Sequence, residues 1–322
     1  MAVQSTKKAV LTLFTPLLVF GGVQHALAAD KYPARPVEVI VTFGPGGGAD
    51  AMARQLSRLV EKDLGVAMPV VNVSGASGNA GLTQLLGNGA DGHSVGTLIA
   101  LTVSSWATGL GTASLDDFKV VAVTQDSPSM LFVPAKSPFK TFREFLDHAK
   151  ANPGKLKVAT SGYGTQDDVT LKYLKAQGFP TTNVPFAKPA ERYSAPLGGH
   201  TDAIYEEPGD VAQLLAAKQL RPLAVFDDVR HPSFPDVETS REYGMDISDL
   251  PNFRSIVVRA DTPPEKVRVL SEAINKALDD PAWQKFCAQT YTCTKKYTPE
   301  EAEAHVRAFY ETVKNRIAQS SH

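Results

Sequence analysis

The chain has 322 residues, 43% hydrophobic and 21% charged, which supplies a core large enough for two domains and excludes a coiled coil or a disordered tail. Lys and Arg total 33 against 34 Asp and Glu, a formal net charge of −1 without a long block of one sign. That balance excludes a dedicated nucleic-acid binder.

The N-terminus carries Lys7 and Lys8, an apolar run from Ala9 to Val23, and then Ala26-Leu27-Ala28. This is the pattern of a cleavable secretory signal peptide over residues 1–28. The run is shorter than the roughly 20 apolar residues needed to span a bilayer. Cleavage removes both lysines and takes the formal charge from −1 to −3.

After it, Pro36 to Phe43 reads as a strand, a glycine turn follows, and Met52, Leu56, Leu59, Val60 and Leu64 recur at helical spacing. Short apolar runs at 70–73, 95–101, 120–123, 131–134, 156–160, 203–205, 222–226 and 255–258 extend the alternation, which predicts an α/β architecture with largely parallel sheets. Thr141, Thr262 and Thr298 each precede Glu by three residues, so three capping boxes are expected. Helices with apolar stripes follow the last two, through Val267, Leu270, Ile274 and Leu278 and through Ala302, Val306, Phe309, Val313 and Ile317. No internal repeat is legible.

Cys287 and Cys293 are the only cysteines. Export removes the reducing pool, so the pair is expected to form a disulfide, with two unpaired thiols as the alternative. The C-x5-C spacing does not suit zinc, and no metal or cofactor is expected.

Two loops can bind an anion. Phe43 leads into Gly44-Pro45-Gly46-Gly47-Gly48-Ala49-Asp50 ahead of a helix, where main-chain N–H groups lie uncovered by side chains. Gly44-x-Gly46-x-x-Ala49 also fits the dinucleotide fingerprint, but the next strand ends near Val71-Asn72-Val73 without the acid that would hold a ribose. Thr160-Ser161-Gly162-Tyr163-Gly164-Thr165 is the second such loop, and Ser74, Gly75 and Ala76 belong to a third candidate element that can equally be a plain connection.

Tyr32-Pro33-x-Arg35-Pro36, Pro45-Gly46-Gly47-Gly48-x-Asp50, Gly75-Ala76-x-Gly78-Asn79-x-Gly81, Asp91-Gly92, Thr160-Ser161-Gly162-x-Gly164, Leu197-Gly198-Gly199-His200-x-Asp202 and Phe234-Pro235-Asp236-Val237 follow one another in order. Together they resemble the solute receptors of tripartite tricarboxylate transporters, the Bordetella uptake gene family. The resemblance implies a periplasmic binding protein of type II-like, two-lobed α/β fold with a ligand cleft between the lobes. Residues 29–127 and 226–322 would form lobe 1 and residues 128–225 lobe 2. It further implies that a small organic carboxylate is handed to membrane permease subunits, and a monomer is expected because no coiled-coil or apolar repeat in the sequence argues for assembly. The loops matching Phe43 to Asp50 and Thr160 to Thr165 would hold one ligand carboxylate, through main-chain groups and ordered waters.

Three departures bear on the solute: Gln166-Asp167-Asp168 stands where the family often has His, Phe186-Ala187-Lys188-Pro189 replaces a common Tyr-Lys-Gly, and Tyr205-Glu206-Glu207-Pro208-Gly209-Asp210 is unusually acidic. Phe186 and Tyr205 are therefore candidate contacts. Arg192 could meet a distal carboxylate and Glu206 could accept from an amine or hydroxyl, or each could be a surface charge or an inter-lobe contact.

No G-x-S-x-G is present, and His93, His148, His200, His231 and His305 are scattered without ligand spacing, so no catalytic residue is assigned. Signalling to a membrane sensor, or a secreted hydrolase, are the alternatives to transport. N-terminal sequencing of the protein from periplasmic extract should start at Ala29; retention of residues 1–28 in a membrane fraction would contradict the export reading.

Overall fold

A computed structural model describes residues 1–2, 32–292 and 296–320. The signal segment and Cys293, and with it the Cys287–Cys293 pairing, lie outside those residues; Cys287 is buried. The strands are β1 (Glu38–Val41), β2 (Val70–Asn72), β3 (Ser94–Ile99), β4 (Phe118–Ser127), β5 (Met130–Pro134), β6 (Lys157–Thr160), β7 (Thr182–Pro185), β8 (Ala203–Glu206), β9 (Leu220–Val225) and β10 (Asn252–Arg259). The helices are α1 (Gly48–Leu64), α2 (Asn79–Gly87), α3 (Ala100–Ala107), α4 (Phe142–Ala151), α5 (Gln166–Ala176), α6 (Pro189–Ser194), α7 (Ala212–Ala216), α8 (Pro264–Leu278), α9 (Pro281–Gln289) and α10 (Pro299–Ser320).

Two five-stranded sheets share one topology, β2-β1-β3-β10-β4 and β7-β6-β8-β5-β9. In each, three strands are parallel, and the other two pair antiparallel to their neighbours. The sheets are therefore mixed, not largely parallel. Only Pro128 and Ser129 separate β4 from β5, and a strand that passes straight into the other sheet has no helix to turn it parallel. The edge strand β7, Thr-Asn-Val-Pro, was not expected, because it has no apolar alternation and ends in proline.

Alternation places the strands in the core. Val39 and Val41 of β1 join Met52, Leu56, Leu270, Ile274 and Trp283 on the α1, α8 and α9 side. Ile40 faces the other way, with Leu82, Leu98, Val103 and Phe309 of the α2, α3 and α10 side. This second cluster runs on without a break to Leu131, Val133, Val158 and Tyr205 of the other sheet and to Phe142 and Phe145 of α4. Met130, Phe132, Ile204 and Val225 form a smaller core on that sheet's far face. Each fully buried apolar side chain contributes about 1.5–3 kcal/mol, so these faces dominate stability. None of the described helices is long and apolar enough to cross a membrane.

Two of the three expected capping boxes form. Glu144 N–H donates to Thr141 Oγ1 at 3.2 Å and Glu301 N–H to Thr298 Oγ1 at 3.2 Å, with the return bonds to both glutamates in place. The Thr262 box does not. Pro263 takes the cap position and α8 starts at Pro264, which leaves Glu265 one residue short of the return position. Thr141→Ala should lower the unfolding free energy by about 1 kcal/mol in urea titration, with no change in far-UV circular dichroism beyond the first turn of α4.

Candidate functional site

The two glycine loops end β1 and β6 and start α1 and α5, and neither helix has a side-chain cap at its N-terminus. Their first-turn N–H groups are therefore turned toward the loops. Each loop is held by the same device. Gly46 N–H donates to Asp50 at 3.1 Å, Arg54 reaches Asp50 at 2.9 Å, and Asn72 on β2 donates to it at 3.0 Å. Correspondingly, Gly164 N–H donates to Asp168 at 2.8 Å, Lys172 pairs with it at 2.8 Å, and Asn183 on β7 donates at 2.7 Å.

A glycine, an acid four residues on, a base four residues further and an asparagine on the next strand thus recur in both lobes. This repeat is invisible in the sequence because the intervening residues differ completely. It also changes two expectations. Asp50 faces back into its own loop, and Asp167-Asp168 clamps the second loop, Asp167 accepting from Ser161 N–H at 2.5 Å and from Thr165 Oγ1. Burial works to raise the Asp50 carboxyl, but Arg54, Gly46 N–H and Asn72 prevail and hold it below its ordinary range. For Asp167 burial wins and pushes it up, against Ser161 N–H and Thr165.

The second loop lies against the first lobe. Thr108, just past α3, donates to Gly164 O at 3.1 Å, and a Cβ on Gly162 would stand 3.8 Å from Ser77 Oγ. Pro189 packs on Gly44 and Gly47. Phe43 and Phe186 are half-buried, Ser74, Gly75, Ala76 and Tyr163 exposed, and Thr165 buried. Thr102, at the start of α3 and close to Gly78, has a buried hydroxyl without a hydrogen-bond partner in the structure.

Tyr205 is a core residue: it is buried, stacks on Phe226, and its hydroxyl meets Thr170 at 3.1 Å. Arg192 and Glu206 bind each other at 2.7 Å with both side chains buried, so neither is a solvated surface charge.

The charged centre of the cleft was not legible in the sequence. Arg254 on β10 donates to Glu207, to Asp210 at 2.8 Å and to Gln125 on β4 at 3.1 Å. Asp210 also accepts from Gly48 N–H at 3.3 Å and from Tyr193 Oη at 3.2 Å. Asn252 donates to Glu207. A Cβ on Gly48 would overlap both the Asp210 carboxylate and the Arg254 guanidinium, which explains the third consecutive glycine. Burial lowers Arg254 to about 10, and burial together with Glu206 pushes Asp210 up to about 7.

The available signal was Arg254 itself, a charge inside the buried strand Asn-Phe-Arg-Ser-Ile-Val-Val that demands a partner. Gly46, Gly47, Gly48, Gln125, Tyr193, Asp210 and Arg254 border a cavity of about 620 Å³, closed by residues of α6, α7 and α9.

Residues 52–308 match the sequence profile of the tripartite tricarboxylate transporter family receptor. A UPF0065 protein of the tcbD-tcbE intergenic region in Pseudomonas sp. strain P51 is 32% identical over 80% of this chain and 78% of its own. Among solved structures, one described as a periplasmic transporter is 26% identical, covers 89% of this chain and 97% of its own, and superposes with a TM-score of 0.82. MatC from Rhodopseudomonas palustris with bound malate, 23% identical, has the same fold at a TM-score of 0.82, covering 89% of this chain and 100% of its own.

Asp210 titrates near 7 in the fold against an ordinary 3.8. Its stabilising contribution is complete below the lower value and is lost as pH rises through the higher one. Asp210→Asn should therefore match the wild type in Tm near pH 4 and gain on it above pH 8, as read by differential scanning calorimetry across that range.

Proposed function

Because the chain belongs to the tripartite tricarboxylate transporter receptor family, we propose that it is an exported solute receptor that captures a small organic carboxylate and presents it to the membrane permease subunits of such a transporter. The observation that carries this reading is the pair of clamped glycine loops at uncapped helix starts, one at the end of β1 and one at the end of β6. Helix N-termini supply N–H donors and positive dipole ends, and a carboxylate is the group they favour.

Capture works by closure. A carboxylate docks on the loop Phe43–Asp50 of one lobe (residues 29–127 and 226–322), the loop Ser161–Thr165 of the other (128–225) adds donors from the far side, and the closed state is selected by the additional contacts. No bond of the solute is broken, and the chemistry needs no cofactor. Phe43, Ser74, Gly75, Ala76, Tyr163 and Phe186 would enclose the solute body. Its charge is met locally, because the chain's slight negative charge attracts no anion at long range.

A thermal-shift screen of organic acids, beginning with malate and adipate, should find at least one that raises Tm and is recovered chemically unchanged after long incubation. The fully amidated compounds, with no carboxylate left, should bind far more weakly, because they lose the charge-assisted hydrogen bonds. Equal stabilisation by acid and amide would rule out the carboxylate, and turnover of the hit would point to the hydrolase alternative.

A further inference from the structure

The inter-lobe cavity has an unequal charge balance on its inner wall. Glu206, Glu207 and Asp210 present carboxylate oxygens within 4.8 Å of one another, and among the described residues two buried guanidiniums, Arg192 and Arg254, face them. Arg192 is committed to Glu206, while Arg254 is shared between Glu207 and Asp210. Three acids with two bases leave the group one positive charge short.

Asp210 is the member that borders the cavity, and it is fixed there. One oxygen accepts from Arg254, the other from Gly48 N–H and the Tyr193 hydroxyl. Its carboxylate takes one N–H at the start of α1, that of Gly48.

We propose that Asp210 is a specificity-determining residue, which makes this receptor select carboxylates whose far end carries a hydrogen-bond donor, an ammonium above all, and reject those that end in a second carboxylate. The assignment rests on the carboxylate-receptor reading given above.

A second solute carboxylate in this cavity would add a fourth anion to a buried set that already lacks a cation. An ammonium in the same place supplies the missing charge, and an amide or hydroxyl at least donates to an oxygen that already lies there. The raised Asp210 carboxyl is the same imbalance seen in the protein alone: burial and Glu206 act against its ionisation. Reach is not a difficulty, because Gly46, Gly47 and Gly48 of the first glycine loop line the cavity. A solute anchored on that loop meets Asp210 within its own length. The departure that the sequence shows after β8 thus acquires a role, although at Asp210, since Glu206 is spent on Arg192.

The test compares end groups at constant chain length: succinate with succinamate and 4-aminobutyrate, and adipate with 6-aminohexanoate. Each is titrated by thermal shift into the wild type, Asp210→Asn and Asp210→Ser, with unfolding cooperativity as the check on folding. In the wild type the donor-ended acids should act at concentrations at least about tenfold lower than the dicarboxylate of equal length, and both variants should erase or reverse that ratio.

A wild type that prefers the dicarboxylate, or a ratio unchanged in the variants, would overturn the assignment and leave the carboxylate reading standing. Silence of all three proteins toward every acid would remove that reading and the assignment with it. A calcium-induced rise in Tm, present in the wild type and lost in both variants, would make the three acids a metal site and overturn the assignment as well.

Discussion

The guanidinium of Arg254 is the point on which the cleft depends. It stands on β10 of one sheet, reaches Glu207 and Asp210 beyond β8 of the other, and touches Gln125 of the crossing strand β4. A charge so deeply buried is tolerated only when every side of it is answered, and the answers come from both lobes. Its presence dictates much of what surrounds it. Gly48 must lack a side chain, Asp210 must turn toward α1, and the crossing strands must run side by side at this point.

Around this centre the two lobes solve one problem twice. A loop rich in glycine cannot define its own conformation, because its backbone has too much freedom. In each lobe an aspartate from the first helical turn reaches back four residues to an N–H of the loop, and a base and an asparagine hold that aspartate in turn. The loops are thereby held by the protein's own hydrogen bonds, which would lower the ordering cost of the proposed binding. The clamp consumes donors that a reading of the bare sequence assigns to the solute. What the loops keep is their position at the starts of α1 and α5.

The core bears on how such a molecule can close. One hydrophobic cluster runs from the first sheet through α3 and α10 to the second sheet, and Arg316 near the end of α10 lies over the Tyr173 ring of α5 at 5.7 Å. The lobes are thus joined by packed side chains as well as by crossing strands. The proposed domain rotation would leave that shared core in place and be taken up at the cleft face, where Thr108 meets Gly164 and Pro189 meets Gly47.

Much of the fold was legible from periodicity. Alternating apolar runs, glycine turns and helical stripes located nine of the ten described strands and the α/β class, because burial of one face leaves a local pattern. Glycine-rich junctions between strand and helix likewise located the two loops that start α1 and α5, since that signal lies within a few consecutive residues. The direction of the strands, the missing cap at Thr262, the pairing of Arg192 with Glu206 and the cluster around Arg254 were decided only by the tertiary structure. Arg254 and Gly48 are separated by about two hundred positions in the sequence, and no local pattern links them. Only the return of β10 between β3 and β4 brings that guanidinium beside the start of α1, and a buried charge is defined by the neighbours that such a return supplies.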